Sequence, residues 1–348
     1  MFQENQEIDV HIKQRNEFFR AIRSGNIVEI ESCLASGMDI HVTDIWGSTA
    51  LLIACENKHE TVVMLLLKNG ANINQATEEN DNSPLISVCS NGNTTIALLL
   101  LDAGAEINQT DSVGRTPLFY ACWFGHTEIA RLLVHRGADI QKATDTQATP
   151  LYIACQDGHK EIVKLLLAHD RSTINQEEEN GQTPLFIACS QGHEAVVQLL
   201  LVAGADIQKA IIDGYTPLYV ACYHKHVSIT ESLIASNKFA GYTPEQLKEI
   251  IYSSARSYYA NDIIFKDMLY FSVVCYRCHR LLGTDHHYDE TQTKAIRAGE
   301  LKYNSQTKIL LSIFKKGIET IPREICQEVV NYLPLVWLNE NSQTPTNN

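Results

Sequence analysis

The dipeptide Thr116-Pro117 has counterparts along the chain at a nearly constant interval, and this periodicity constrains the fold more than any other property of the sequence. The equivalent pairs are Thr49-Ala50, Ser83-Pro84, Thr149-Pro150, Thr183-Pro184 and Thr216-Pro217, so that successive copies lie 34, 33, 33, 34 and 33 residues apart. A chain that repeats at such an interval stacks supersecondary units, none of which can bury its apolar face alone. The stretch from Gly114 to Ala138, GRTPLFYACWFGHTEIARLLVHRGA, shows what one unit contains. Thr caps a helix through its hydroxyl, and Pro suits the first turn, where a missing N–H costs nothing. That helix passes through Leu118 and Ala121-Cys122 and stops at Gly125-His126. Ile129, Leu132 and Leu133 then fall at helical spacing on a second helix, which Gly137 ends. Each unit is a helical hairpin, and the fold class is an all-α solenoid.

Charge narrows the partners. Residues 1–237 carry 15 basic and 29 acidic side chains, whereas residues 238–348 carry 13 and 12, so the net charge of −13 resides in the repeats. Such a surface is unsuited to nucleic acid, whose phosphates need a basic face. Glu78, Glu79 and Asp81, and again Glu177, Glu178 and Glu179, fall in turns between repeats and would line one rim of the stack. Two readings of that rim stand side by side: complementarity to a basic protein partner, and acidic turns kept for solubility. No apolar run is long enough to span a membrane, and the polar start MFQENQEIDVHIKQ lacks the features of a secretory signal peptide. Cys55, Cys89, Cys122, Cys155, Cys189 and Cys222 recur at the repeat period and are read as small packing residues. Thiols at equivalent core positions imply a reducing, cytoplasmic compartment rather than a disulfide framework.

The unit resembles the ankyrin repeat: Gly114-Arg115-Thr116-Pro117-Leu118, Ala121-Cys122, Gly125-His126 and Gly137-Ala138-Asp139-Ile140 match that family's motif. The resemblance covers six repeats from Asp44 to about Ser236, preceded by a capping repeat over Phe18 to Asp44 that lacks the Thr-Pro-Leu start. One departure is systematic. The family's His after Thr-Pro-Leu is here Leu52, Ile86, Phe119, Tyr152, Phe186 and Tyr219, which replaces hydrogen bonding by packing. The resemblance implies a non-enzymatic scaffold or adaptor that binds a protein in a concave groove lined by the inter-repeat turns and the first helices. Because aromatic residues and Arg dominate interface hot spots, the expected partner-binding residues are Trp46, Arg115, Trp123, Phe124, Tyr215 and Tyr223. The alternative is that Trp123 and Phe124 fold back on a neighbouring repeat and that the two Tyr pack against the C-terminal domain. Asn108, at the end of a Leu-x5-Glu-Ile-Asn string, resembles the ankyrin asparagines that an asparaginyl hydroxylase modifies, although Asn in a turn also serves its own backbone.

After Ser236 the texture changes. The expected organisation is a flexible N-terminus over 1–15, repeats over 16–237, a small helical C-terminal domain over 238–338 and a disordered tail over 339–348. Cys275-x2-Cys278-His279 with His286-His287 has the donor types of a zinc site or of a Cys-His nucleophile. The same two cysteines lie i, i+3 in the apolar run FSVVCYRCHRLL, and they are read as a buried helix face; no metal, cofactor or catalytic residue is assigned. Ile321, Pro322, Glu324, Ile325, Val329 and Leu333 resemble the start of an F-box, a helix used to recruit a ubiquitin-ligase subunit, and equally suit an amphipathic last helix. Ankyrin proteins with short helical tails also resemble effectors of intracellular bacteria that act in the host cytosol; an ordinary cytosolic scaffold stays open. The chain is expected to be a monomer.

Overall fold

The computed structural model describes residues 2–236 apart from residue 225, with side chains described from residue 12 onward except at 222, 227, 231, 234 and 235. Residues 238–348, including Cys275, Cys278 and the F-box-like string from Ile321 to Leu333 for which expectations are given above, lie outside the described residues. The chain divides into two units between Gly214 and Tyr215.

In the first unit α1 (Phe2–Ser24) and α2 (Ile27–Ala35) form the cap, followed by α3 (Ala50–Glu56) with α4 (Glu60–Lys68) and α5 (Pro84–Asn91) with α6 (Thr94–Asp102). Then come α7 (Pro117–Trp123) with α8 (Thr127–His135), α9 (Pro150–Gln156) with α10 (Lys160–His169), and α11 (Pro184–Gln191) with α12 (Glu194–Ala203). The second unit contains α13 (Pro217–Tyr223) and α14 (Val227–Ala235). Among the described residues there is no strand, only an isolated bridge between Thr43 and Thr49. The helix α1 begins at Phe2, so residues 2–15, expected as a flexible lead, are helical. The physical reason is cooperative: Phe18, Phe19, Ala21 and Ile22 are buried and anchor the last turns, and a nucleated helix extends at low cost through the polar residues ahead of it.

The expected capping chemistry is in place. The hydroxyls of Thr49, Ser83, Thr116, Thr149 and Thr183 accept the N–H of Leu52, Ile86, Phe119, Tyr152 and Phe186. All five caps are buried. First helices pack on first helices from α1 through α11, and second helices pack on second helices from α4 through α12. Small residues permit the close approach of the first helices: Ala54-Cys55, Ala121-Cys122, Ala154-Cys155 and Ala188-Cys189 are fully buried, and Val88-Cys89 fills the same position. Burial raises the thiols of Cys55, Cys89, Cys122 and Cys155 far above the ordinary range, and these four form no disulfide. The second helices each contribute a pair and a third residue one turn on, such as Val62, Val63 and Leu66 or Ile129, Ala130 and Leu133. Each such Leu, Ile or Val contributes about 1.5–3 kcal/mol by leaving water.

Packing does replace the missing His after Thr-Pro-Leu, because Leu52, Ile86, Phe119, Tyr152 and Phe186 are all buried. Tyr152 also keeps a hydrogen bond, from its hydroxyl to Gln182 Oε1 at 3.2 Å. A different His ties the repeats together. The Nε2 of His59, His126, His159 and His193 lies 2.8–3.0 Å from the carbonyl of Arg23, Ser90, Trp123 and Gln156, each in the preceding repeat. A carbonyl only accepts, so the proton sits on Nε2. The glycine before the next helix makes room: a Cβ on Gly92, Gly125 or Gly158 would fall 2.5–2.6 Å from the ring of His126, His159 or His193.

Candidate protein-binding face

The turns leading into the first five repeats are each built around one side-chain acceptor at the base. Asp44 Oδ1 accepts the N–H of Trp46 and Ser48, and Asp111 Oδ1 accepts those of Val113 and Arg115. Glu178 Oε1 accepts from Asn180 and Gln182, whereas in the remaining turns the hydroxyls of Thr77 and Thr144 accept from Asn82 and Ala148. Consecutive turns join by backbone bonds, from Ser112 N–H to the Asn80 carbonyl, Asp145 N–H to that of Val113 and Glu179 N–H to that of Thr146. The turn tips are thereby held by side-chain and backbone hydrogen bonds. Part of the acidic rim serves this framework, since Glu178 holds its own turn and Glu177 pairs with Lys209 at 3.1 Å. Glu78, Glu79, Asp81 and Glu179 are exposed.

The third repeat carries the densest site. Asp111, almost wholly buried, takes Arg115 Nε at 2.7 Å and the Tyr120 hydroxyl at 2.9 Å on Oδ2. The Arg115 guanidinium lies over the rings of Tyr120 and Trp123, at 5.1 and 5.6 Å. The Trp123 and Phe124 rings stack 5.4 Å apart at 15°, and Phe124 also lies parallel to Tyr120 at 6.3 Å. Phe119 meets Trp123 edge-on from beneath at 6.1 Å. Burial, followed by the hydrogen bond to and the charge of Asp111, pushes the Tyr120 phenol up to about 12, against the opposing charge of Arg115. This arrangement separates the expected contact residues by role. Phe124 is 47 % exposed and offers its ring outward, whereas Trp123 is half-buried between Phe124, Tyr120 and Arg115. Arg115 is held by Asp111 and by two aromatic faces, an ordered platform rather than a free charge.

Trp46 occupies the tip of the first turn, 65 % exposed. Beneath it the same chemistry recurs with a different donor: Arg23, from α1, reaches Asp44 at 2.6 Å and lies 5.7 Å from the Trp46 ring. Tyr215 and Tyr223 belong to the second unit, where Tyr219 stacks between them at 4.4 and 6.2 Å. Both outer rings are exposed.

Two residues of this face escape the hot-spot argument from sequence, Asp111 and Tyr120. Their signal is positional. An acceptor stands five residues before the helix cap in the first, third, fourth and fifth repeats, as Asp44, Asp111, Thr144 and Glu178, and one residue further ahead, as Thr77, in the second. Between the second and third repeats the face opens into a polar cleft of about 300 Å³ lined by Glu56, Asn80, Asn82, Ile86, Ser87, Ser90, Asn91, Asp111, Arg115 and Tyr120. Burial and the charge of Asp44 raise the pKa of Glu56, against the opposing charge of Arg23. Among the described residues no group of His, Cys, Asp and Glu is arranged to hold a metal ion, and no helix is long and apolar enough to cross a membrane. Asn108 Oδ1 accepts the N–H of Asp139 at 2.8 Å, the same inter-repeat bond that Asn74 makes to Glu106 and Asn175 to Asp206. It serves the next repeat's backbone rather than its own turn.

No curated protein sequence matches the chain. Among solved structures, the ankyrin repeat domain of human ASB11 is similar with a TM-score of 0.56 and 25 % identity, over 63 % of this chain and 96 % of that one. Models of the family described as ankyrin repeats in three copies match residues 18–111, 76–144 and 139–211, and the single ankyrin repeat matches residues 213–240. Ankyrin repeats form protein–protein interaction modules. With capped helical hairpins, Gly-His ties between repeats and family models covering more than half of its length, the chain belongs to the ankyrin-repeat family.

Proposed function

We propose that the chain is a protein-binding adaptor whose turns and first helices hold a partner, with the third repeat as the anchor. The observation that carries this reading is the stack of Phe124 on Trp123 and Tyr120, fixed from below by Arg115 and Asp111. Such an anchor presents a large aromatic area that loses little rotamer freedom on binding. The excess of acidic over basic residues in the repeats favours a partner with a basic surface. The thiols of Cys55, Cys89, Cys122 and Cys155, buried and outside any disulfide, suit a reducing compartment, the cytoplasm or, for an effector, the host cytosol. The F-box-like string Ile321-Pro322-Arg323-Glu324-Ile325 supports a second reading, in which the C-terminal segment passes the captured protein to a ubiquitin-ligase subunit.

Selection from a phage-displayed library of random peptides on the full-length chain tests the anchor. Phe124→Ala is expected to weaken retention of the selected peptides about thirtyfold, equivalent to about 2 kcal/mol, with a smaller loss of thermal stability because 47 % of the residue is exposed. Peptides held equally by wild type and Phe124→Ala would defeat the reading. Loss of a ligase subunit on deleting residues 321–348, with the repeats still folded, would support the second reading.

A further inference from the structure

Two polar groups in the cleft between the second and third repeats lack partners. The side-chain oxygen Oδ1 of Asn82 is buried and accepts no hydrogen bond. Unsatisfied buried acceptors are rare in folded proteins and costly, on the order of 1–3 kcal/mol. The second is Glu56. Two acidic groups near it are neutralised, Asp44 by Arg23 and Asp111 by Arg115. The carboxylate of Glu56 has neither an ion pair nor a hydrogen bond among the described residues. Lys58, two residues away, is committed elsewhere: its ammonium donates to the Asn91 carbonyl at 2.8 Å, and it does not line the cleft. An unpaired carboxylate and an orphaned amide oxygen thus share one cavity of about 300 Å³, with the hydroxyls of Ser87 and Ser90 on its wall.

We propose that this cleft receives a cationic side chain, lysine or arginine, from the bound partner, with Glu56 as counter-ion and Asn82 as hydrogen-bond acceptor. The inference rests on the adaptor reading above and adds to it what the partner must present: a basic residue placed next to the segment that meets Phe124. Both lysine and arginine carry only donors, which matches the two unpaired acceptors of the cleft, the Glu56 carboxylate and Asn82 Oδ1. A neutral apolar side chain would leave both groups unpaired and desolvated, and an acidic one would face Glu56 directly. The Arg115 guanidinium does not oppose the cation as a free charge, because Asp111 neutralises it at 2.7 Å.

The test uses the full-length chain and defined probes, N-acetyl-lysine amide, N-acetyl-arginine amide and the uncharged isostere N-acetyl-norleucine amide, followed by backbone-amide NMR. At least one cationic probe should produce saturable shifts centred on residues 82, 87, 90 and 91, and the norleucine probe should produce none. Glu56→Gln, at an exposed position, is expected to weaken the response about tenfold with unchanged melting temperature. Asn82→Leu removes an unsatisfied acceptor, so it should hold or raise the melting temperature while also weakening the response. The proposal is overturned if neither cation gives a saturable shift, if norleucine matches them, or if both variants respond as wild type. Peptide selection that still depends on Phe124 under those outcomes would leave the adaptor reading intact. The lysine and arginine arms identify which cation is preferred.

Discussion

Replacing Gly125 with alanine probes how one repeat grips the next. Gly125 has φ of +74°, and an added Cβ would lie 2.5 Å from Cε1 and 2.7 Å from Nδ1 of His159. The ring cannot withdraw without giving up the 3.0 Å hydrogen bond from its Nε2 to the Trp123 carbonyl. Two costs add. A side chain in the left-handed region costs about 1–2 kcal/mol, and loss of the inter-repeat hydrogen bond costs about 1 kcal/mol more. Gly104 separates the two terms, because it has φ of +93° and nothing within 4 Å of its missing Cβ. Urea unfolding of the full-length chain, followed by far-ultraviolet circular dichroism, should therefore show Gly125→Ala about 1 kcal/mol less stable than Gly104→Ala. In Gly125→Ala/His159→Ala the obstructing ring is absent, and the excess cost of Gly125→Ala should vanish from the double-mutant cycle. Equal losses at Gly104 and Gly125 would refute the steric link. The chain contains a natural counterpart to this experiment. Lys58 has φ of +59° at the position that is glycine in the neighbouring repeats, and the residue in register with it in the next repeat is Asn93 instead of His. Asn93 caps its own helix, accepting the N–H of Ile96 at 3.0 Å. Asn93→His is accordingly expected to destabilise the chain, and Lys58→Gly to relieve that loss.

Asp111→Ala removes the acceptor for four donors, the N–H groups of Val113 and Arg115, Arg115 Nε and the Tyr120 hydroxyl. A stability loss of about 3 kcal/mol is expected, with hydrogen exchange accelerated first in residues 111–124; unchanged exchange there would show that the turn does not depend on Asp111. The phenol of Tyr120 ionises near 12 in the folded chain and near 10 when unfolded, so its contribution to stability is complete below pH 10 and is lost as pH rises toward 12. Between pH 10 and 12 wild type should lose stability more steeply than Tyr120→Phe, and parallel profiles would contradict the buried Asp111 contact. Alkylation of the native chain read by mass spectrometry should modify Cys33, which is partly exposed, ahead of Cys55, Cys89, Cys122 and Cys155.

The helices, their caps and their stacking were legible because they follow from local chemistry repeated along the chain. A hydroxyl at Thr116 or Thr183 sets a helix start, and Ala121-Cys122 or Ala188-Cys189 sets its packed face, whatever lies elsewhere. The exposed aromatics Trp46 and Phe124 were legible for the same reason, since their positions in the repeat place them outside the core. The Gly-His pair was legible only as a helix stop. Its second function, His159 reaching Trp123 and filling the space beside Gly125, joins residues 34 and 36 apart, and single-unit periodicity cannot show a bond between units. The substitution of Lys for Gly at 58 together with Asn for His at 93 was present in the sequence as a trace of that bond.

What the sequence determined by itself was the hairpin, its number of copies and the identity of the buried face, because helix capping and apolar spacing act within about ten residues. Only the tertiary structure decided which of the expected contact residues stand free. Arg115 and Phe124 are equally suitable as anchors in a list of residue types, but Asp111, four residues before Arg115, and the rings of Tyr120 and Trp123 immobilise the guanidinium, whereas Phe124 keeps 47 % of its surface exposed. The cleft holding Glu56 and Asn82 likewise exists only once one repeat is set beside the next. Its open hydrogen-bonding groups come from different turns and helices, and solvent access is a property of the assembled face rather than of any one unit.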